Sequence, residues 1–438
     1  MTSAVGAVDA PADTRGVHGR ITRDSLWLGS AYAVTAGSGF VFWLLAAMWI
    51  PQAQLGVEAS VLSVVMAAAT LASNGPGSAL VVMLPLGGAA ARAALIRACA
   101  TAAGLALVLG AIAGVLVVLL LPTGMGAIEA VSTIAVCTVV WALFNTQTMA
   151  LAGASHARGT LYINGSANLV KLGLLALFVL PVPWMPHPLV AATILPAAAG
   201  AVISLVALLP RALRRDDART GSTAQWNRGL ARTFRVFTAQ NAVAVGIVLC
   251  AGLTLPFLVT VLSTPAEGAV FAIAFQFSVA LDLVGVAVAT ALARSAVVDF
   301  TASSGLARGY VVRIMLLVGA LGVVATLATP VMFLLLGRGY PPLYGMAVVG
   351  TLAVASIVRP GYDIWSALMR ARHRVRPVLW SNAVYVVILF ALVALLVPRT
   401  GALGAAVSVT SAALALAVIG AVGLRRRHSA LPEREAVA

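Results

Sequence analysis

The chain has 438 residues, 61% of them hydrophobic and 9% charged, with a mean hydropathy of +1.03. A soluble domain carries about a quarter charged residues, so this chain cannot cover itself with water-facing side chains; a soluble enzyme, a disordered chain and a coiled coil are all excluded. The formal net charge of +15 would suit a nucleic-acid partner, but the basic residues sit in short clusters between apolar runs, which is the pattern of membrane topology.

A membrane-spanning helix needs about 20 apolar residues, and its backbone polar groups must be satisfied within the helix. Twelve runs meet this requirement. The first six are 25–50, 58–84, 93–121, 128–151, 161–180 and 188–209; the last six are 236–262, 268–292, 310–336, 343–369, 378–397 and 402–424. Helix-stopping residues separate them: Pro51, Pro122-Thr123-Gly124, Pro181-Val182-Pro183, Pro265, Pro341-Pro342, and Pro398 before Gly401. The polar first 24 residues and the long first run, with no small-residue cleavage site behind it, predict an uncleaved first helix. Cys99, Cys137 and Cys250 all fall inside apolar runs, so no disulfide framework is implied.

Arginine placement tests the count. Twenty-four of the 28 basic residues lie at the amino terminus, in alternate connections or in the tail. The other connections hold only Arg338 and Arg399, and Lys171 and Arg359 lie inside spans. This bias predicts an even number of helices with both termini in the cytoplasm.

The two sets of six begin at 25, 58, 93, 128, 161 and 188, and at 236, 268, 310, 343, 378 and 402, offsets of 210 to 217 residues. Ala150-Leu151, Ala154 and His156 echo Ala367-Leu368, Ala371 and His373 at the end of each fourth helix. Six helices preserve orientation, so the fold class is an all-α integral membrane protein of two pseudo-symmetric six-helix bundles related by an axis along the membrane normal. The organisation is a cytoplasmic segment 1–24, a lobe 25–210, a cytoplasmic linker 211–235, a second lobe 236–424 and a tail 425–438. Two matched bundles with a cleft between them suit alternating access.

Catalytic chemistry is absent. A phosphate cradle needs G-x-x-x-x-G-K-[ST], yet the only lysine, Lys171, follows Val170 inside a span. The five histidines form no metal-ligand pattern, so no metal centre is expected, and the external connections are too short for an active-site loop.

A charge in mid-bilayer costs about 2.5–3.5 kcal/mol on insertion scales, so each calls for a reading. Lys171 sits mid-way along the fifth span. Arg359 lies within the tenth, beside Pro360-Gly361 and one turn before Asp363; Asp282 is mid-way along the eighth, with Gln276 nearby. Lys171 and Arg359 could line a cavity that attracts an anion. The alternative pairs Arg359 with Asp363 and Lys171 with Asp282 as structural ion pairs; Asp282 also has the chemistry of a proton or Na+ coupling site. Glu58 and Glu129 fall at external helix ends, within reach of water. Asn74-Gly75-Pro76-Gly77 interrupts the second span, making Gly75, Pro76, Gly77 and Pro360 hinge candidates, or kinks that fit a neighbouring helix. Asn145, Gln147, Gln240 and Asn241 could bond sugar hydroxyls or join helix to helix. Trp43, Trp49, Trp184 and Trp365 suit span ends and packing as well as ligand stacking.

Gly37-Ser38-Gly39-Phe40 with Phe42-Trp43, Pro51 to Leu55-Gly56, Arg359-Pro360, Ala367 to Arg376, and Gly401-Ala402-Leu403-Gly404-Ala405-Ala406 together resemble the multidrug/oligosaccharidyl-lipid/polysaccharide (MOP) flippase superfamily over residues 25–424, specifically its polysaccharide-export, O-antigen-flippase-like branch. The peptidoglycan-precursor branch has more helices than the twelve read here. The resemblance implies a bacterial cytoplasmic-membrane protein flipping an undecaprenyl-diphosphate-linked glycan to the outer leaflet, with no cofactor and with polysaccharide assembly enzymes as partners; it assigns no site residue. The alternative is a MATE-like drug or cation antiporter. That class needs cavity carboxylates, and the first half has no acid in mid-span. A membrane glycosyltransferase is opposed by the short loops; a non-transporting assembly partner is a further alternative.

Overall fold

Runs this apolar can satisfy their backbone in a bilayer only as helices, and every regular element among the described residues is helical. The structure is a computed structural model and describes residues 37–154, 157–180, 185–298, 300–337, 339–371 and 376–425. The amino-terminal arginines, His156, the 181–184 proline segment with Trp184, Arg338, His373 and the tail arginines beyond 425 lie outside the described residues.

In chain order the helices are α1 (Gly37–Trp49), α2 (Gln52–Met83), α3 (Gly88–Leu120), α4 (Ala127–Gly153) and α5 (Ala157–Val179). Then follow α6 (Pro188–Ile203), a wide π turn (Ser204–Leu208), α7 (Leu209–Thr220), α8 (Arg228–Asn241), a second π turn (Ala242–Gly246), α9 (Ile247–Leu253) and α10 (Leu255–Leu262). The chain closes with α11 (Pro265–Val298), α12 (Phe300–Leu336), α13 (Pro342–Val358), α14 (Pro360–Ala371) and α15 (Arg376–Arg425).

Ten helical stretches among the described residues are long and apolar enough to cross a membrane, and α1 is a shorter apolar helix. The last stretch, Arg376–Leu424, has 49 residues. That is about 74 Å of helix against a hydrocarbon core of ~30 Å, so it cannot be one crossing. It turns at Gly401, whose φ of 57° is left-handed and whose Cα lies against the Glu267 carboxylate, leaving no room for a Cβ. Two crossings there, together with α1, bring the number to twelve.

The connection read as 211–235 is mostly helix. α7 carries the sixth span to Thr220, where Gly221 closes it with φ 59° and an N–H bond of 2.9 Å to the Asp217 carbonyl. Asn227 Oδ1 accepts from Leu230 N at 2.9 Å and starts α8, so only residues 221–227 are left to connect the two. The end of α7 and this short turn are buckled to the first lobe: Asp217 accepts from Gly88 N at 2.6 Å and from Arg92 at 2.7 Å, and Arg97 lies 4.5 Å above the Trp226 ring.

The second span is not interrupted. α2 stays helical through Asn74–Gly77 with Pro76 inside it, and Gly75 lets the backbone of α8 approach so closely that a Cβ would overlap the Thr238 carbonyl. A neighbour that fills the kink removes the need for a break.

Small residues set helix spacing where lipid supplies no hydrophobic drive. Along α3, Ala91, Ala94, Ala98, Ala102, Ala106, Gly110 and Gly114 recur every three or four residues and are buried. A Cβ on Gly110 would lie 2.8 Å from Ala135 Cα, and one on Gly114 2.7 Å from Val131 Cα, both on α4.

The repeat has a structural counterpart. Glu58, in α2, accepts from Leu189 N at 2.7 Å at the start of α6. Glu267, at the start of α11, accepts from Ala402 N at 2.8 Å where α15 restarts after Gly401. The two links span 131 and 135 residues, so in each half the second crossing caps the sixth. Glu58 is therefore not water-facing: it is fully buried, because α6 ends on it. Glu129 is exposed as expected.

Along α2 the halves meet twice. At one end Ser60 Oγ lies 2.6 Å from Thr260 Oγ1 and Gln52 reaches the Ala266 carbonyl at 3.3 Å. At the other end Phe234 of α8 packs with Leu80, Met83 and Leu151.

Candidate functional site

Between these meeting points lies a cavity of about 330 Å³, walled by α1, α2, α4, α5 and α6 on one side and by α9, α10 and α11 on the other. Its polar wall comes chiefly from α5, where Asn164, Asn168 and Lys171 share one helix face at spacings of four and three. Ser63, Thr193 and Gln276 add to the lining. Trp43, Trp141, Phe144 and Phe275 supply flat apolar walls; Trp141 and Phe144 have ring centroids 5.6 Å apart.

Lys171 is the one charged side chain among the lining residues. Its ammonium lies 4.7 Å from the centroid of the Phe42 ring, and no carboxylate among the described residues comes within 4.0 Å. Asn164 Oδ1 is buried with no donor among the described residues, although Asn168 donates to the Asn164 carbonyl at 2.9 Å. A buried acceptor of this kind calls for a donor from water or a ligand.

Arg359 lies elsewhere. At the joint between α13 and α14 its Nη1 donates to Asp282 Oδ2 at 2.9 Å, and its Nε stands 3.7 Å from Asp363 Oδ1. Arg359 is thus not on the wall with Lys171, and Asp282 pairs with it rather than with Lys171. Tyr362 donates to Asn382 Oδ1 at 2.5 Å, and Asn382 Nδ2 donates to the Ala244 carbonyl in the second π turn at 2.6 Å. A ladder that slips by one residue frees carbonyls, and here a side chain from α15 takes one up.

The amides divide similarly. Gln276 faces the cavity. Asn145 donates to Ser73 Oγ at 3.4 Å, joining α4 to α2; Gln147 is buried and donates to Thr148; Asn241 bonds the Phe237 carbonyl in its own helix; Gln240 is exposed. Gly77 packs against Met149, and Pro360 begins α14 directly after Arg359, whose own backbone stays helical with φ −65° and ψ −36°. Asn164 and Asn168 escaped the sequence reading, although their spacing from Lys171 on a helical face was the signal that finds them.

No protein-family model and no curated protein matches the chain. Solved structures do. An inward-facing multidrug-resistance MATE-family transporter of the MOP superfamily matches with a TM-score of 0.65 at 15% identity, over 93% of this chain and 96% of that one. A MOP-superfamily transporter from Pyrococcus furiosus, described as having a binding pocket of reversed polarity that suggests a different function, matches at 0.62 and 14% over the same shares. The eukaryotic MATE transporter AtDTX14 matches at 0.54 and 12%, over 94% and 98%. With twelve crossings in two facing bundles, the chain has the fold of the MOP-superfamily transporters.

Proposed function

We propose that the protein is a multi-pass membrane transporter that carries an anionic substrate through the chamber by alternating access of its two bundles. The substrate class is a polyprenyl-diphosphate-linked oligosaccharide moved between leaflets of a bacterial cytoplasmic membrane, made and used by polysaccharide assembly enzymes as partners. The observation that carries this reading is Lys171, the one charge among the chamber's lining residues, with no carboxylate within 4.0 Å among the described residues. A lone buried ammonium costs several kcal/mol, and a diphosphate restores its partner. The amides suit sugar hydroxyls, and the aromatic walls suit the apolar faces of sugar rings. No bond of the substrate changes in this reading. A coupling ion, Na+ or H+, would act at Asp282 and Asp363, which outnumber Arg359 in the second cluster.

That acid excess also favours a second reading, export of drugs or cations, and the solved structures fit it better than the first. Reconstitution into vesicles separates the two. Transfer of a nitrobenzoxadiazole-labelled prenyl-diphosphate glycan to the opposite leaflet, read by dithionite bleaching of the label on the outer face and lowered about tenfold by Lys171→Gln, supports the first. Ethidium moving against an ion gradient, with no glycan transfer, replaces it with the second.

A further inference from the structure

Two adjoining hollows of about 460 and 500 Å³ lie between α1 and α12, sharing Leu44, Ala328 and Met332. Every side chain that lines them is apolar. On α1, Phe40, Leu44 and Met48 recur every four residues; on α12, Leu321, Ala325, Ala328 and Met332 recur every three or four. Each helix therefore turns one stripe to the groove. The groove runs from the middle of the molecule to the end that holds Pro51, opposite the 221–227 turn. Phe40 to Met48 covers about 12 Å of helix and Leu321 to Leu335 about 21 Å, close to the ~15 Å depth of one leaflet.

The groove adjoins the polar chamber. Ala280 of α11 lines both, and on α1 Gly39 lines the chamber while its neighbour Phe40 lines the groove. A Cβ on Gly39 would meet nothing within 4 Å among the described residues. Phe40 and Phe277 touch edge to face, with centroids 4.7 Å apart.

A polar cavity whose one lining cation has no carboxylate within 4.0 Å among the described residues, set beside an apolar groove about one leaflet deep, has the shape of an amphiphile. We infer that the α1–α12 groove seats the hydrocarbon chain of the transported molecule while its anionic head occupies the chamber beside Lys171. This rests on the chamber reading above and deepens it: a molecule with an isoprenoid chain fits both parts, and a water-soluble anion fills only one.

The test uses the full-length protein in vesicles of zwitterionic lipid, with farnesyl diphosphate analogues carrying a photoreactive diazirine in mid-chain or an aryl azide at the head. The chain reagent should label Leu44, Ala328 or Met332 about tenfold more than the matching farnesol reagent, the factor that one charge-assisted hydrogen bond supplies. Lys171→Gln should erase that excess. Ala328→Trp, and on the facing wall Leu44→Trp, should block the chain label while the head reagent still labels the chamber; Ala328 faces the membrane side, so its variant leaves the core untouched. Equal labelling by the alcohol makes the groove a seat for bulk lipid and overturns the inference. Chain label elsewhere, with the head still in the chamber, also overturns it and leaves the proposed function standing. A head reagent that misses the chamber removes the proposed function, and a chain label that then persists in the groove without Lys171 again makes it a lipid seat.

Discussion

Single residues in this molecule take their meaning from partners far along the chain. Arg359 is the clearest case: its position inside a span marks it as exceptional, but the identity of its partner depends on which helix α13 packs against. The side chain stands half-buried between two carboxylates. Arg359→Ala would leave both acids without their cation, so the expected result is a loss of about 2–3 kcal/mol, below the cost of breaking a fully buried pair, seen as a lower melting temperature in detergent. Arg359→Ala combined with Asp282→Asn should recover part of it. If Arg359→Ala melted normally yet stopped transport, the cluster would be a working site rather than a brace. Glu58 teaches the same lesson in reverse. By sequence it reads as an exposed acid near a helix start, because nothing local announces Leu189, 131 residues away. Glu58→Ala and Glu267→Ala should each cost about 1–2 kcal/mol of thermal stability, the usual loss when a helix-capping oxygen is removed, and by similar amounts if the two caps are equivalent. A melting shift confined to one of them would break the equivalence.

At the level of elements, most of the architecture was legible because lipid leaves so few options. Apolar runs of sufficient length had to be helices, and the alternation of arginine clusters fixed their parity. What stayed hidden was the behaviour of irregular backbone. Asn74–Gly77 looks like a break and is a tight fit against α8, whereas the true irregularities at 204–208 and 242–246 carry neither proline nor a glycine pair that would mark them. Packing distance is legible only after the neighbour is known. Gly110 and Gly104 look alike in the sequence, but the first faces α4 at van der Waals contact and the second faces open space. Gly110→Val should therefore push α3 from α4 and cost roughly 1–3 kcal/mol, the range for overpacking, while Gly104→Val should be near neutral. Melting curves of the two variants in one detergent decide it; equal effects would mean that the α3–α4 contact does not set the fold.

For the whole molecule the question is what has to move. The two halves touch at one end of the chamber where Ser60 and Thr260 meet and at the other where α8 packs on α2. With Cys99, Cys137 and Cys250 replaced by alanine, Ser60→Cys with Thr260→Cys should cross-link under mild oxidation, and the link should stop transport until a reductant is added. Continued transport by the cross-linked protein would place the opening elsewhere. The site itself was half visible from the residues alone: Lys171 follows from charge in an apolar run, but the chamber's aromatic walls come from three different helices, and no periodicity within one helix predicts that they meet.

The paired caps carry a mechanical consequence. Because Glu58 fastens its second helix to its own sixth, and Glu267 does likewise in the other half, neither bundle can fray at that mouth without surrendering a carboxylate's hydrogen bonds. The yielding line is then the seam between the bundles, and each swings there like a door leaf braced across its own frame.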